Sequence, residues 1–237
     1  MNIRNKVTII TGASAGIGLA TAKLFDQHGA KLVLVARSAE SLQRQAAEFQ
    51  DAMAIPTDLR DTAAVRRMVQ EAHEHFGRID VLINNAGQGL YAPVEQIDLH
   101  QYRELLELNV VAVLAAMQAV IPILRAQGGG VIVNISSGLS KLYVPGMAGY
   151  ASTKYALNAI TLTARAELAN DNIRVGLVVP GRTATDFWRK AIHNVGGLAD
   201  IPNPGMPMDT PEIVAAKILE AAQTEAAETY VSEAMRL

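Results

Sequence analysis

The first half of the chain alternates short apolar runs with longer segments whose apolar residues recur at helical spacing. Four strands are predicted at residues 7–10, 31–36, 52–56 and 79–83, and three helices between them at 16–28, 39–49 and 61–76. Strand, helix and strand in that order indicate parallel crossovers, and unbroken runs of Val, Ile and Leu are typical of strands buried on both faces.

The second half continues this alternation with longer helices. Helices are predicted at 99–126, 149–169 and 212–222, and strands at 131–135, 174–179 and 229–232. Thr210 is the expected N-cap of the helix that Pro211 opens. The pattern predicts one α/β domain over residues 1–237, with a doubly wound, mostly parallel sheet of about seven strands and helices on both faces. Residues 185–209 lack a clear period and are expected to form a loop.

The helix predicted around residues 110–123 is apolar on nearly every side, which is more than one sheet face can bury. Gln118 and Pro122 interrupt the apolar run, which is also shorter than the ~20 residues of a membrane span. We therefore expect a buried helix and no membrane segment. The surplus apolar surface indicates a homodimer or homotetramer formed through the long helices 99–126 and 149–169.

Composition and charge narrow the possible functions. The chain has 237 residues, of which 19% are charged, and its formal net charge is −2, so no nucleic-acid partner is expected. It contains no cysteine, which excludes disulfides, thiolate metal sites and cysteine nucleophiles, and no metal site is predicted. The N-terminal residues show no signal-peptide pattern, so a cytoplasmic location is expected.

A glycine-rich turn, Thr11-Gly12-Ala13-Ser14-Ala15-Gly16-Ile17-Gly18, joins the first predicted strand to the first predicted helix. Glycine lets the backbone approach a pyrophosphate closely, and a helix N-terminus stabilises its charge. A tight turn without a ligand is the alternative, and the spacing differs from G-x-G-x-x-G. The placement between strand and helix favours a dinucleotide site, with candidate residues Gly12, Ser14, Gly16, Ile17 and Gly18.

Arg37 and Ser38 follow the second strand, where a carboxylate would bind the adenosine 2′-hydroxyl of NAD. A guanidinium and a hydroxyl instead bind a 2′-phosphate through charge-assisted hydrogen bonds. These residues favour NADP as the cofactor, and a solvated arginine at a strand end is the alternative interpretation of Arg37.

Two further strand ends carry candidate cofactor contacts at the same edge of the sheet. Asp58, followed by Leu59, can accept a hydrogen bond from the adenine amino group, although an Asx turn or a helix N-cap explains it equally well. Asn85, Ala86 and Gly87 suit a close backbone approach to a ribose, with an Asn-Gly-type turn as the alternative.

Tyr150 and Lys154 lie four residues apart in a predicted helix, so their side chains share one face. An ammonium beside a phenol favours the phenolate and lowers a pKa that is normally near ~10. The pair can therefore serve as an acid and base. Tyr and Lys at this spacing also occur on many solvated helix faces, which is the alternative.

These motifs, in this order, resemble the short-chain dehydrogenase/reductase family over essentially the whole chain. The resemblance rests on the glycine turn, Asn84-Asn85-Ala86-Gly87, Asn109 in Leu-Asn-Val, Ser137 in Asn-Ile-Ser-Ser, Tyr150-x-x-x-Lys154 and Pro180-Gly181. It implies a Rossmann fold and an NADP-dependent oxidoreductase that transfers a hydride between the cofactor and a carbonyl or secondary alcohol.

The resemblance also implies a catalytic tetrad. Tyr150 would be the general acid or base, and Lys154 would lower the Tyr150 pKa and bind the nicotinamide ribose. Ser137 would donate a hydrogen bond to the substrate oxygen, and Asn109 would hold a water that links Lys154 to solvent. Cofactor contacts after the sixth strand would come from Pro180, Gly181, Thr183 and Thr185.

The expected substrate is a small, mostly apolar ketone, aldehyde or secondary alcohol. The predicted substrate-binding loop is 185–209, and the apolar residues expected around the substrate are Tyr143, Val144, Met147, Phe187, Trp188 and Met206. Packing of the loop onto the body is an alternative role for each. Two other functions are alternatives: a dinucleotide-binding sensor or scaffold without chemistry, and an isomerase or dehydratase of the same family.

Overall fold

The computed structural model describes residues 1–193 and 208–232, and most of its strands join one sheet. In chain order the strands are β1 (Val7–Thr11), β2 (Lys31–Ala36), β3 (Ala52–Pro56), β4 (Val81–Asn84), β5 (Leu90–Tyr91), β6 (Gly130–Ile135), β7 (Ile173–Val179), β8 (Ile192–His193) and β9 (Glu228–Tyr230). The α-helices are α1 (Gly16–Gln27), α2 (Ala39–Ala46), α3 (Thr62–Phe76), α4 (Leu99–Leu106), α5 (Ala112–Ala126), α6 (Ala148–Glu167) and α7 (Pro211–Thr224).

Seven strands form a sheet in the order β3-β2-β1-β4-β6-β7-β9, and every neighbouring pair is parallel. Ile9 at the centre of β1 pairs with Val33 on one side and Leu82 on the other. The chain order therefore reverses beside β1, and the carboxyl ends of the strands open into a crevice there. The predicted doubly wound α/β fold is confirmed.

The sheet is buried on both faces, as its unbroken apolar strands predict. Ile9 packs into a core layer that contains Met68 of α3 and Val120 of α5. Its neighbour Ile10 faces the opposite layer, together with Phe25 of α1 and Ile218 of α7. This alternation along the strand puts α1 and α7 on one face and α3, α5 and α6 on the other.

The segment 99–126 is one continuous helix that changes its winding in the middle. A π-helical turn, Glu107–Val111, separates α4 from α5. The segment is long and apolar enough to cross a membrane by length and composition alone. In the fold α5 packs on α3 and the sheet, so it is a core helix. Val111 and Leu114 nevertheless stay exposed on its outer side.

Local capping chemistry sets several helix ends. The Asp61 carboxylate accepts the amides of Ala63 and Ala64 at 2.8 and 3.1 Å and so caps α3. Thr210 caps α7 as predicted, by accepting the Ile213 amide. Helix α2 ends at Ala46, three residues before the predicted 49, because the chain must turn there to enter β3. The short parallel pair of β5 and β8 was not predicted.

Candidate active site

The glycine-rich turn after β1 is packed tightly against the end of β4. Gly12 and Gly16 have φ angles of 67° and 54°, which side chains rarely adopt. A Cβ on Gly18 would lie 2.2 Å from the Gly12 carbonyl oxygen. The Asn85 amide, predicted to face the cofactor, donates to the Thr11 carbonyl at 2.9 Å. Asn85 therefore supports the turn with its side chain.

The residues around the start of α1 fit a dinucleotide phosphate. Ala15 occupies the N-cap position without a side-chain cap, and the first turn of α1 carries no acidic residue. The helix N-terminus thus offers backbone N–H groups and a favourable dipole to an anion. A Cβ on Gly16 would lie 3.2 Å from Cγ2 of Thr185, so the fold brings this predicted contact to the turn. Gln45 holds the turn from α2 by donating to the Ser14 carbonyl at 2.9 Å.

The predicted adenosine side of the site carries an additional arginine. Arg37 and Ser38 are both exposed after β2. Arg60 binds the Asp58 carboxylate with two guanidinium nitrogens, at 3.1 and 2.7 Å. The pKa of Asp58 is lowered chiefly by the Arg60 side-chain hydrogen bond, and the charge of Arg37 adds to that effect. Arg60 was not identified from the sequence. Its position two residues after Asp58 was the signal that could have indicated this ion pair.

Asp58 and Leu59 also have structural roles that the sequence had left open. The backbone amide of Arg60 donates to the Asp58 carboxylate at 3.1 Å. This is the geometry of an Asx turn, the alternative to adenine binding for Asp58. Leu59 is buried in the core layer that contains Met68. A carboxylate offers about four acceptor sites, so Asp58 retains capacity for a further donor.

Tyr150, Lys154 and Ser137 converge at the carboxyl end of β6. Tyr150 and Lys154 lie on the buried face of α6, and each is 5% exposed. Lys154 Nζ donates to the Ile135 carbonyl at 2.9 Å and lies 5.8 Å from the centroid of the Tyr150 ring. Ser137 follows β6, and its side chain lies close enough to the Tyr150 phenol to act on the pKa of that phenol. Tyr150 and Lys154 therefore do not lie on a solvated helix face, which was the alternative interpretation of their spacing.

The direction of the Tyr150 pKa shift differs from the prediction. Burial raises the pKa of the Tyr150 phenol to about 12, while the hydrogen bond with Ser137 acts in the lowering direction. Burial also lowers the pKa of the Lys154 ammonium to about 8. Desolvation disfavours both charged forms and is the largest cause of both shifts, so the lowering expected from the Lys154 charge does not decide the direction of the Tyr150 shift.

Asn109 lies in the π-helical turn and is fully buried. Its side-chain oxygen accepts the Gln88 amide at 2.9 Å, and its nitrogen donates to the Gln88 carbonyl at 2.9 Å and to Thr153 at 3.1 Å. The side chain thus clamps the segment after Gly87. These contacts do not test the predicted water between Lys154 and solvent, so that role of Asn109 stays a prediction.

An aromatic cluster covers the Tyr150 ring. Phe187 and Trp188 meet Tyr150 edge to face, with centroid distances of 5.7 and 5.1 Å. The Gly89 carbonyl accepts the Ile192 amide at 2.9 Å, beside the pairing of β5 with β8. The segment of residues 88–91 therefore connects the Asn109 clamp to the loop that carries the aromatic residues. Residues 88–92 were expected to border the substrate, but nothing in the sequence singles out Gly89 within them.

Of the expected substrate contacts, Tyr143 lies at the outer surface and Met206 falls outside the described residues. Tyr143 is 91% exposed and stacks on Tyr155 with ring centroids 6.2 Å apart, so it faces away from the Tyr150 phenol. Tyr155 is an exposed residue of α6, and stacking on its ring accounts for the surface position of Tyr143. Met206 lies outside the described residues, as does most of the predicted loop 185–209.

The segment after β7 is held at both ends of its turn. The Pro180 carbonyl accepts the Gly138 amide at 2.8 Å, which ties it to the turn after Ser137. Thr183 forms a parallel bridge with Asp209. Pro180, Gly181, Thr183 and Thr185 thus lie between the Ser137 turn and the glycine-rich turn, as expected for residues that contact one ligand.

The side chains of this site can transfer protons and donate hydrogen bonds. They carry no hydride and no thiol, since the chain has no cysteine, so a redox reaction here uses a bound cofactor. In residues 1–193 and 208–232, no group of three or more His, Asp or Glu side chains is arranged to hold a metal ion.

Comparison with known proteins agrees with this geometry. Residues 6–196 match the family model described as short chain dehydrogenase. A 3α-hydroxysteroid dehydrogenase of Mediterraneibacter gnavus is 38% identical over 194 residues, which cover 79% of this chain and 77% of that protein.

Two solved structures are also similar to this chain. A short-chain dehydrogenase from Streptomyces avermitilis superposes with a TM-score of 0.87 at 29% identity, over 98% of this chain and 89% of the other. A 3-ketoacyl-(acyl-carrier-protein) reductase from Brucella melitensis, complexed with NADH, gives 0.87 at 27% identity, over 97% and 98%. By its sequence and its fold, the chain belongs to the short-chain dehydrogenase/reductase family of oxidoreductases.

Proposed function

We propose that the protein is an NADP-dependent oxidoreductase that interconverts a carbonyl and a secondary alcohol on a small, mostly apolar molecule. The observation that carries this proposal is the convergence of Tyr150, Lys154 and Ser137 at the sheet edge that also holds the glycine-rich turn. A proton donor and a dinucleotide site then lie on the same crevice. A sensor or scaffold would not need these buried polar groups together.

The chain's own residues supply the proton chemistry. Bound at this edge, a nicotinamide dinucleotide supplies or accepts the hydride. The Ser137 hydroxyl donates a hydrogen bond to the substrate oxygen and orients the carbonyl. The Tyr150 phenol gives its proton to that oxygen during reduction and takes one back during oxidation. Hydride and proton together convert C=O to CH–OH, so the reaction balances.

Lys154 has an electrostatic role in this proposal. With a pKa of about 8, its ammonium is largely protonated at neutral pH. A positive charge within 6 Å of a phenol favours the phenolate and so opposes the effect of burial on Tyr150. Asn109 has an indirect role: its side chain fixes the Gln88 backbone beside Gly87 by two hydrogen bonds.

The cofactor preference rests on charge. Arg37 is exposed after β2, at the position where a carboxylate would select NAD. The nearby Asp58 carboxylate is paired with Arg60, which limits its repulsion of a 2′-phosphate. Arg37 and Ser38 are therefore assigned to the 2′-phosphate, and Arg60 is a second positive group on that side.

The substrate class rests on the aromatic cluster. Phe187 and Trp188 cover the Tyr150 ring with aromatic surface, and Met147, at the start of α6, is buried. The similar Mediterraneibacter protein is named for a hydroxysteroid, an apolar alcohol. We assign residues 185–209 to the substrate-binding loop of one dinucleotide-binding and catalytic domain, residues 1–237.

The proposed assembly is a cytoplasmic homodimer or homotetramer. Val111 and Leu114 of the long helix and Tyr155 and Leu162 of α6 are exposed apolar side chains on the two helices predicted to form the interface. Burial of these side chains against a second copy removes apolar surface from water, which favours association.

The experiment is a panel of ketones, aldehydes and secondary alcohols, followed at the NADPH absorbance band with NADH in parallel. Turnover is expected with apolar carbonyls and with a preference for NADPH. Tyr150→Phe should abolish turnover while cofactor binding is retained. Full activity of that variant, or no turnover of any carbonyl or alcohol, would contradict the proposal; cofactor-bound protein that isomerises or dehydrates a substrate would indicate the alternative chemistry.

A further inference from the structure

A directed chain of hydrogen bonds runs from α6 to the backbone of Ser137. Asn158 lies four residues after Lys154 and eight after Tyr150, on the same helix face. Its side-chain oxygen accepts the Ser136 hydroxyl at 2.5 Å, and its nitrogen donates to the Ser140 hydroxyl at 2.9 Å. The Ser140 hydroxyl in turn donates to the Ser137 carbonyl at 2.7 Å.

This chain holds a short turn, the 3₁₀ helix Gly138–Ser140, against α6. The Ser137 carbonyl also accepts the Ser140 amide at 2.9 Å, and the Leu139 amide donates to the Ser137 hydroxyl at 3.2 Å. Both ends of the Asn158 amide are used, one as acceptor and one as donor. The turn therefore has a defined position relative to the helix that carries Tyr150.

We propose that Asn158 is a positioning residue that sets the Ser137 hydroxyl relative to the Tyr150 phenol. The proposal rests on the reductase function proposed for this site, because both hydroxyls must reach one substrate oxygen. Ser137 lies in the turn after β6 and Tyr150 lies in α6, so the distance between their side chains depends on how this turn is joined to α6. The Lys154 ammonium links α6 to β6 by its hydrogen bond to the Ile135 carbonyl. The Asn158 side chain links α6 to Ser136 one helical turn further along.

The geometry makes the effect of Asn158 indirect. Asn158 bonds Ser136 and Ser140, which flank Ser137, and is therefore assigned no contact with substrate. Removal of its amide takes away one donor to the Ser140 hydroxyl and the acceptor of the Ser136 hydroxyl, so the turn loses its side-chain link to α6 while its backbone hydrogen bonds remain. Small displacements of a group that orients a reacting carbonyl lower kcat more than they weaken binding.

The test is a double-mutant cycle with Asn158→Ala and Ser137→Ala, measured on reduction of a ketone that the wild type accepts. Asn158→Ala alone should lower kcat about tenfold with little change in the cofactor Kd. In the Ser137→Ala background the same change should lower kcat less than about twofold, because its target is gone. Asn158→Gln, which keeps a donor and an acceptor, should recover part of the activity.

Equal tenfold losses in both backgrounds, or no loss in either, would overturn the proposal. Ser140→Ala breaks the same chain and provides the test if Asn158→Ala folds poorly. Thr163→Ala, an exposed position on α6, is the control and should match the wild type.

A second measurement separates this proposal from the proposed function. Amide hydrogen exchange of residues 138–141 should speed up in Asn158→Ala, whereas the amides of β6 should keep their protection. This result is expected even if no ketone is reduced, in which case the proposed function fails and the structural link stands. Unchanged exchange in residues 138–141 would refute the link itself.

Discussion

Trp188 packs directly on the backbone of Gly89: a Cβ on that glycine would lie 2.7 Å from Cζ3 of the indole. The same indole meets the Tyr150 ring edge to face at 5.1 Å. The missing side chain at residue 89 is therefore what lets an aromatic residue lie over the proposed proton donor. Since Trp188 is the only tryptophan of the chain, the tryptophan fluorescence of the protein reports on the surroundings of this one indole.

Gly89→Val should displace Trp188 from Tyr150. The branched side chain would overlap the indole and the Ala191 Cβ, which is 3.1 Å from the added Cβ. We expect a red-shifted tryptophan emission and a KM for apolar ketones that rises about threefold to tenfold, with a smaller change in kcat. Gly77→Asn is the matched control, because a side chain there meets open space and asparagine tolerates the φ of 72°, and its emission should equal that of the wild type. A wild-type emission spectrum of Gly89→Val would contradict this role.

The rate of reduction should fall as the pH rises through about 8. Burial lowers the pKa of Lys154 to about 8, so its positive charge is present below that pH and lost above it. Tyr150, with a pKa raised to about 12, keeps its proton over the same range. The measurement is a profile of kcat/KM against pH, which reports ionisations of the free enzyme.

Lys154→Arg tests the assignment of this pH dependence. A guanidinium stays protonated, so the variant should be less active but should show no decline near pH 8. Lys154→Met, which has no charge, should be nearly inactive at every pH. A decline at the same pH in Lys154→Arg would assign the titration to another group.

Arg37→Asp should reverse the cofactor preference. The new carboxylate repels a 2′-phosphate and accepts a hydrogen bond from a 2′-hydroxyl, so kcat/KM should fall about 10- to 100-fold with NADPH and rise with NADH. Arg66→Ala removes an exposed arginine from α3 and should change neither value. An unchanged ratio of the two cofactors in Arg37→Asp would exclude Arg37 from the 2′-phosphate site.

Asp80→Asn should destabilise the fold at neutral pH. Burial opposes ionisation of Asp80, but hydrogen bonds from Arg78, the Val7 amide and Lys6 outweigh it and lower its pKa. A depressed pKa contributes stability above the unfolded value of 3.8, and that stability is lost as the pH falls through the lower folded value. We expect the free energy of unfolding to drop by about 1–3 kcal/mol at pH 7, as measured by urea denaturation.

The pH dependence of that difference provides the control. The gap between wild type and Asp80→Asn should narrow as the pH falls from about 4 through the lower folded pKa of Asp80, because the wild-type carboxyl then takes up a proton and becomes uncharged like the asparagine amide. Asp51→Asn breaks an exposed pair with Lys31 and should cost less than about 1 kcal/mol. A constant gap down to acid pH would assign the effect to packing.

The order of the elements and the edge that carries the site were predictable from residue patterns. Apolar runs and helical spacing are local properties, and they predicted the strands of the large sheet to within a few residues. Because the carboxyl ends of parallel strands meet at one edge, Gly12, Arg37, Asn85 and Ser137 could be assigned to one crevice.

The contacts between distant residues were not predictable in this way. The side chain of Asn109 is used on Gln88, and that contact depends on a π-helical turn that the sequence does not mark. The aromatic side chain of Tyr143 was expected beside the substrate, but its ring stacks on Tyr155 at the protein surface. Asn158 shares the spacing of Tyr150 and Lys154, yet only the fold shows that it meets the Ser137 turn.

The sequence by itself determined which residues share a face or an edge, because the periods of helices and strands are properties of the backbone. The tertiary structure decided what environment those residues meet. Tyr150 and Lys154 illustrate the difference: their spacing predicts a lowered phenol pKa, whereas burial raises it to about 12. Desolvation depends on the whole surrounding fold, and no four-residue spacing contains that information.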